Sequence, residues 1–265
     1  MAQQSVAVDE TAASADASDQ YLAEYDGSFV ARWDRLVGWE ARARSEGDFF
    51  IELLREAGAR RVLDAATGSG FHAVSLAQAG FDVVATDGSA AMVEQARRNL
   101  AERDLDVRAE VADWRGLDAV VGTGFDAVLC LGNSLGHLFA EDDLDAAVRG
   151  FAGVLKPGGL LLLDQRNYDA VLDGTLPTKR QTYCCVGENS SVDLERTREG
   201  HVRIVYGLDG GTFTRSIETH PWRRARIRRA MTDAGFEGLR MFGDFEETFD
   251  PDAVEFIVHA ARRGA

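Results

Sequence analysis

The middle of the chain alternates between two hydrophobic periods. Short apolar runs such as VLDA (62–65) and DAVLCL (126–131) are separated by longer stretches whose apolar positions recur at helical spacing. Strands that alternate with helices in this way form βαβ units, which place the strands in a parallel sheet. The pattern therefore predicts an α/β fold, with its core over residues 58–170.

The two flanks of this region have different patterns. Residues 1–20 are small, polar and acidic, which predicts a disordered tail. Apolar and aromatic residues recur at helical spacing over 21–57 and predict two helices. Four strand-like stretches (QTYCCVG, SVDLERTR, HVRIVYGL and GTFTRSIETH) predict an antiparallel insertion over 171–218. A helix and two further strands over 219–265 complete the core.

Charge and cysteine content narrow the class of protein. With 29 Lys and Arg against 44 Asp and Glu, the net charge is −15, and phosphate binding needs a basic face. The basic stretch RRARIRR (223–229) is interpreted as a solvated helix face. Three cysteines fit neither a disulfide framework nor a zinc site. The first 31 residues lack the Lys or Arg of a signal peptide, and no apolar run approaches the roughly 20 residues of a membrane span. We expect a cytoplasmic protein without nucleic-acid or membrane partners.

A glycine loop follows the first strand of the alternating region. GSGFHA (68–73) satisfies G-x-G-x-x-A, which by itself fits a nicotinamide dinucleotide. Asp87 ends the next strand, where a carboxylate accepts hydrogen bonds from ribose hydroxyls, and Gly68 and Gly70 let the backbone approach a ligand. Asp64 would bind the ammonium of an amino-acid tail but would repel a pyrophosphate. S-adenosylmethionine, which has no phosphate, therefore fits better than a dinucleotide.

Two further strands end in polar residues that would reach the same sheet edge. ADW (112–114) ends the third strand, where Asp113 would accept from an adenine amino group and Trp114 would cover the ring. The fourth strand runs into LCLGNSLGHL (129–138), in which polar side chains follow an apolar run. Ligands of parallel sheets bind outside the carboxyl ends of the strands, so we expect Asn133 and His137 to line a pocket there.

Residues 60–169 resemble the class I S-adenosylmethionine-dependent methyltransferases in the order of their motifs. A strand leads into D-x-x-x-G-x-G, the next strand ends in an aspartate, and KPGG precedes the fifth strand. CLGNSLGHL and LLLLDQRNYD are similar to motifs of glycine N-methyltransferase and of bacterial glycine/sarcosine N-methyltransferases, as are YDGSFVARWDRLVGWEARAR and FGDF. The resemblance implies a Rossmann-like, mostly parallel seven-stranded sheet with helices on both faces, a helical lid over 21–57 and a small antiparallel insertion or lid. It also implies S-adenosylmethionine as cofactor, S-adenosylhomocysteine as product, no metal, and methyl transfer to a small amino acid.

The motifs and the resemblance together assign candidate site residues. Cofactor-binding candidates, with Arg44 on the cofactor carboxylate, are Tyr25, Trp33, Arg44, Asp64, Ala66, Gly68, Gly70, Asp87, Gly88, Met92, Asp113, Trp114, Leu131 and His137. Acceptor-binding candidates are Asn133, Arg166, Tyr168, Tyr183 and Tyr206. Catalytic candidates are Asn133, Arg166, His137 and Tyr25. An arginine at the end of an apolar strand needs a partner, and an acceptor carboxylate would pair with it bidentately.

Several alternatives stay open at this point. SIETHPW (216–222) lacks the two adjacent tyrosines of the animal enzymes that the resemblance implies. This leaves glycine, sarcosine, dimethylglycine and another small carboxylate-bearing metabolite or natural product open as acceptors. His137 would act either as a base or as a structural hydrogen-bond partner. A nicotinamide-dependent dehydrogenase would explain only the glycine loop. A module that binds S-adenosylmethionine without turnover would explain only the cofactor-binding residues. The sequence is compatible with a homo-oligomer but does not require one.

Overall fold

A computed structural model of the protein describes residues 20–176 and 187–265. The predicted tail, apart from Gln20, lies outside these residues. So do Tyr183, two of the three cysteines and most of the first predicted strand of the insertion.

The main sheet has seven strands. In chain order they are β1 (Arg61–Asp64), β2 (Asp82–Asp87), β3 (Arg108–Val111), β4 (Phe125–Cys130), β5 (Leu155–Arg166), β9 (Phe236–Gly243) and β10 (Phe256–Arg263), and a separate sheet holds β6 to β8. The spatial order is β3-β2-β1-β4-β5-β10-β9, in which only β10 runs antiparallel to its neighbours. The carboxyl ends of β1, β2 and β4 therefore meet at one edge, as the loop motifs require.

Helices cover both faces of this sheet. The ten α-helices of the described chain are α1 (Gln20–Glu24), α2 (Gly27–Val37), α3 (Trp39–Glu46), α4 (Phe49–Glu56), α5 (Phe71–Gln78), α6 (Ala90–Ala101), α7 (Leu117–Val121), α8 (Glu141–Val154), α9 (Tyr168–Asp173) and α10 (Arg224–Asp233). One hydrophobic core lies between the sheet and α4, α5 and α6, and a second lies between the sheet and α7, α8 and α10. The predicted two-faced α/β sheet is confirmed.

The N-terminal segment contains four helices where two were predicted. Gly38 and Gly47 have φ of 58° and 53°, in a left-handed region that glycine adopts without strain, and each ends a helix. The Asp26 carboxylate accepts hydrogen bonds from the backbone N–H groups of Ser28 and Phe29 and so begins α2. The spacing of apolar residues predicts which segments are helical, but the glycines and the Asp26 cap determine where each helix begins and ends.

The predicted antiparallel insertion is a three-stranded sheet, with β7 (Val202–Leu208) between β6 (Ser190–Arg196) and β8 (Phe213–Thr219). Its inner face packs on α2: Phe29 and Leu36 are fully buried against Ile204 and Ile217. We call α2 together with β6–β8 the lid unit. It adds a third core to the two of the main sheet.

The KPGG sequence lies inside β5 rather than before it. Phe125 pairs with Leu155 and Ala127 pairs with Leu160, so four residues, 156–159, bulge out of the ladder. The expected turn is therefore present as a bulge within one continuous strand.

Candidate active site

A cavity lies at the carboxyl ends of β1, β2 and β4 and encloses about 970 Å³ of space outside protein atoms, including its open mouth. Helices α1 to α3 supply the opposite wall through residues such as Tyr21, Trp33 and Trp39. The predicted cofactor residues that line it are Tyr25, Trp33, Ala66, Gly68, Asp87, Gly88, Met92, Asp113, Trp114, Leu131 and His137. Arg44, Asp64 and Gly70 do not.

The loop after β1 is held to the end of β2 by one carboxylate. Asp87 Oδ2 accepts a hydrogen bond from the Gly68 N–H at 2.9 Å, and Oδ1 accepts one from the Ser89 N–H at 2.9 Å. Burial raises the pKa of Asp87 to about 6. Each carboxylate oxygen has more than one lone pair, so Asp87 retains acceptor capacity toward the cavity.

Gly70 has a packing role that the motif alone did not reveal. Its φ is 97°, and an added Cβ would lie 3.2 Å from the Ala96 Cβ on α6. This glycine allows α5 and α6 to approach each other and does not form the cavity wall. Asp64 is fully buried behind the wall formed by Ala65 and Ala66, where burial raises its pKa.

The expected role of Arg44 on the cofactor carboxylate does not agree with its position. Its side chain is 73% exposed and lies 4.0 Å from Glu40, outside the cavity. Arg42 instead points inward and lines the cavity, with its Nε 2.5 Å from Glu46 Oε1. Because α3 turns by about 100° per residue, two positions of offset move a side chain to the opposite face.

Arg42 belongs to a buried charged group at the cavity wall. Glu46 Oε2 lies 2.8 Å from His72 Nε2, so this carboxylate contacts both basic side chains. Burial by itself raises the pKa of Glu46, but the charges of Arg42 and His72 outweigh it and bring the pKa to about 2. Glu46 is therefore ionised and fixes the position of the Arg42 guanidinium.

The far end of the cavity carries the predicted adenine-binding pair. The Trp114 indole N–H donates to the Ala65 carbonyl oxygen at 2.6 Å, which fixes the ring plane. Asp113 accepts from the backbone N–H of Arg115 and from its guanidinium, which also reaches Asp143 at 3.0 Å. Hydrogen bonding from Arg115 lowers the pKa of Asp113, so it can act toward a ligand only as an acceptor. Sequence reasoning missed Arg115.

Aromatic rings close the cavity from the lid side. The Tyr25 hydroxyl lies 3.4 Å from His137 Nε2, and the Tyr25 ring packs edge-on against Trp33. Burial lowers the pKa of His137 to about 4, so the imidazole is neutral at pH 7. Tyr21, also missed, contacts Gly88 so closely that a Cβ there would overlap its hydroxyl. Because Tyr21 precedes Tyr25 by four residues, helical spacing could have predicted that both rings lie on the same face.

Three of the predicted acceptor residues, Asn133, Arg166 and Tyr168, lie together next to the cavity wall. Asn133 is 6% exposed: its Nδ2 donates to the Tyr168 hydroxyl at 2.8 Å, and its Oδ1 accepts from the Arg166 N–H at 2.9 Å. The Asn133 amide is thus engaged within the protein rather than lining the cavity. The Arg166 guanidinium stacks 5.0 Å from the Phe256 ring, and no hydrogen-bonded acceptor accompanies it in residues 20–176 or 187–265. Tyr206 packs on Trp33 from the lid unit.

The methyltransferase domain family matches residues 62–159. An S-adenosylmethionine-dependent methyltransferase structure from Clostridium acetobutylicum has the same fold, with a TM-score of 0.72 and 18% identity over 90% of this chain and 98% of that one. The fold and the cavity define a class I S-adenosylmethionine-dependent methyltransferase. The glycine/sarcosine N-methyltransferase of Parasynechococcus marenigrum (strain WH8102) is 45% identical over 93% of this chain and 86% of its own length, and that of Aphanothece halophytica is 42% identical over 93% and 92%. The chain belongs to this family of N-methyltransferases.

No helix in the described part of the chain is long and apolar enough to cross a bilayer. Within the same residues, no three His, Cys, Asp or Glu side chains are grouped to hold a metal ion. The cytoplasmic location, the homo-oligomer and the metal-free reaction stay predictions.

Proposed function

We propose that the protein transfers a methyl group from S-adenosylmethionine to the amine of glycine or sarcosine. The relatives with 42% and 45% identity are named for these two acceptors. The observation that carries the proposal is Arg166, a partly buried cation beside Asn133 and Tyr168 that has no anionic partner among the described residues. A free carboxylate on the acceptor would supply that partner.

The cavity residues fit S-adenosylmethionine. Asp87 would accept from the ribose hydroxyls, Asp113 from the adenine amino group, and Arg42 would bind the carboxylate of the amino-acid tail. Tyr25 and Trp33 present aromatic faces that stabilise a cation. When bound, S-adenosylmethionine supplies an electrophilic methyl group attached to a positively charged sulfur.

The chain's own contribution is orientation. Arg166 would fix the acceptor carboxylate, and the Tyr25 hydroxyl would orient the amine. Holding reacting atoms in line can contribute up to about 7–11 kcal/mol to lowering the barrier. This assigns the rate enhancement to positioning and requires no covalent step by a side chain.

The acceptor amine must be neutral to attack, so its proton has to leave. With a pKa of about 4, His137 does not take up a proton readily at pH 7. We assign it the role of hydrogen-bond partner to Tyr25, with the amine deprotonated by solvent before it binds.

The test measures S-adenosylhomocysteine formation with glycine, sarcosine and dimethylglycine offered separately to the wild type, Arg166→Met and Arg240→Met. Arg240 stacks 4.9 Å from Phe242 on β9, remote from the cavity, and so matches the cation–ring contact of Arg166. We expect turnover of glycine or sarcosine that falls by at least about 100-fold in Arg166→Met, since buried charge pairs contribute several kcal/mol. Arg240→Met should keep it.

Two results would contradict the proposal. Equal activity of Arg166→Met and wild type would show that no carboxylate binds there. Cofactor binding without turnover of any of the three amines would point to another small carboxylate-bearing acceptor.

A further inference from the structure

We infer that Thr219, the last residue of β8, is a positioning residue for the acceptor site and acts through Tyr168 on Asn133. The inference rests on the proposed function, which locates the acceptor beside Asn133 and Arg166. Thr219 belongs to the stretch SIETHPW (216–222). Its hydroxyl makes contacts that link the lid unit to the main sheet.

The contacts form a chain of hydrogen bonds between fully buried groups. The Thr219 Oγ1 donates to the Val202 carbonyl oxygen at 2.9 Å and lies 2.9 Å from the Tyr168 hydroxyl. A threonine hydroxyl has one proton, and that proton is committed to Val202 because a carbonyl can only accept. Tyr168 must therefore donate to Thr219, which leaves the Tyr168 oxygen as an acceptor.

This direction fixes the orientation of the Asn133 side chain. The Tyr168 oxygen requires a donor, which Asn133 Nδ2 supplies at 2.8 Å. At the other end, the Arg166 N–H can only donate and so requires Asn133 Oδ1, at 2.9 Å. Both ends demand the same amide orientation, so rotating the amide by 180° would break two hydrogen bonds at once.

The backbone around Asn133 also contacts both the main sheet and the lid unit. Asn133 has a φ of 65°, and its N–H donates to the buried Asp164 carboxylate at 2.8 Å. The His220 N–H donates to the Gly136 carbonyl oxygen at 2.7 Å, and an added Cβ on Gly136 would lie 2.9 Å from Thr219 Cβ. The end of β8 is thus docked on the turn that follows Asn133.

The decisive variant is Thr219→Val, which keeps the shape and removes the hydroxyl. It removes the buried acceptor of the Tyr168 O–H, so the Tyr168 proton is free to turn toward Asn133 and oppose Nδ2. We expect the acceptor KM to rise about tenfold, while the affinity for S-adenosylhomocysteine stays within about twofold of wild type. Thr219→Ser retains the oxygen and should restore the wild-type KM.

The matched control is Thr86→Val. Thr86 is equally buried on β2, but its hydroxyl has no hydrogen-bond partner among residues 20–176 and 187–265. The same substitution there should leave the acceptor KM unchanged. Tyr168→Phe breaks the chain one bond closer to Asn133, and adding Thr219→Val to it should cause no further rise in KM.

A spectroscopic readout separates this inference from the proposed function. The two Asn133 side-chain N–H signals in a ¹⁵N-labelled wild type, assigned by their loss in Asn133→Asp, should be slow to exchange with solvent. They should shift and exchange faster in Thr219→Val but not in Thr86→Val, whatever acceptor the enzyme uses. Unchanged Asn133 signals in Thr219→Val, or a Thr219→Ser variant as impaired as Thr219→Val, would overturn the inference. A wild type that ignores glycine and sarcosine would overturn the proposed function alone.

Discussion

Two arginines one half-turn apart on α3 give a direct test of the cofactor site. Arg42 lines the cavity and Arg44 faces solvent, although sequence similarity favours Arg44 as the ligand of the cofactor carboxylate. We expect Arg42→Lys to weaken the binding of S-adenosylhomocysteine and Arg44→Lys to leave it unchanged. Both substitutions conserve charge, so the difference isolates the geometry of the guanidinium.

The magnitude follows from the two environments. Arg42 is 9% exposed, and a lysine there cannot contact Glu46 and a ligand carboxylate with the same planar set of donors. Losing one hydrogen bond to a charged group costs about 1.5–3 kcal/mol, or roughly 10- to 150-fold in Kd. The exposed pair of Arg44 and Glu40 contributes less than about 0.5 kcal/mol.

Titration calorimetry would measure this difference, with thermal unfolding as a check that Glu46 remains paired. Arg42→Met is unsuitable, because leaving Glu46 without its principal counter-charge would cost about 3–5 kcal/mol of folding free energy. 5′-Methylthioadenosine, which has no carboxylate, should bind Arg42→Lys and wild type equally. The assignment of Arg42 to the cofactor carboxylate would be refuted if Arg42→Lys lost equal affinity for S-adenosylhomocysteine and 5′-methylthioadenosine. It would also be refuted if only Arg44→Lys lost affinity.

Three further predictions follow from the cavity. Because Asp87 has a pKa of about 6, its side chain is mostly ionised at pH 7 and mostly protonated at pH 5, where the added proton weakens it as an acceptor. S-adenosylhomocysteine should therefore bind up to about tenfold more weakly at pH 5 than at pH 7, and calorimetry of Asp87→Asn should show that this dependence is lost. Gly88→Ala should displace Tyr21 and lower cofactor affinity, and the double variant with Tyr21→Ala should recover part of it; no recovery would mean that another contact is responsible. Since the pKa of His137 is already about 4, His137→Gln should keep the shape of the kcat/KM profile between pH 6 and 8, and a lost rise near pH 6.5 would identify it as a base.

Local sequence patterns located much of the site because they describe single strand ends. Asp87, Asp113 and the glycine loop each follow an apolar run, and a parallel sheet brings such positions to one edge. The same reasoning could not separate Gly68, which lines the cavity, from Gly70, which packs on α6. Both satisfy the same motif, and only the path of α6 distinguishes them.

The sequence by itself determined the alternation of strands and helices, the cofactor class and the family, since these depend on short-range periodicity and on motifs within one loop. The tertiary structure alone decided which face of α3 turns inward, and so chose Arg42 over Arg44. It also decided that the Asn133 amide is bonded to Tyr168 and thereby to Thr219, 86 residues further along the chain. Hydrogen bonds between such distant residues form only when separate elements pack together, and no local pattern records that packing.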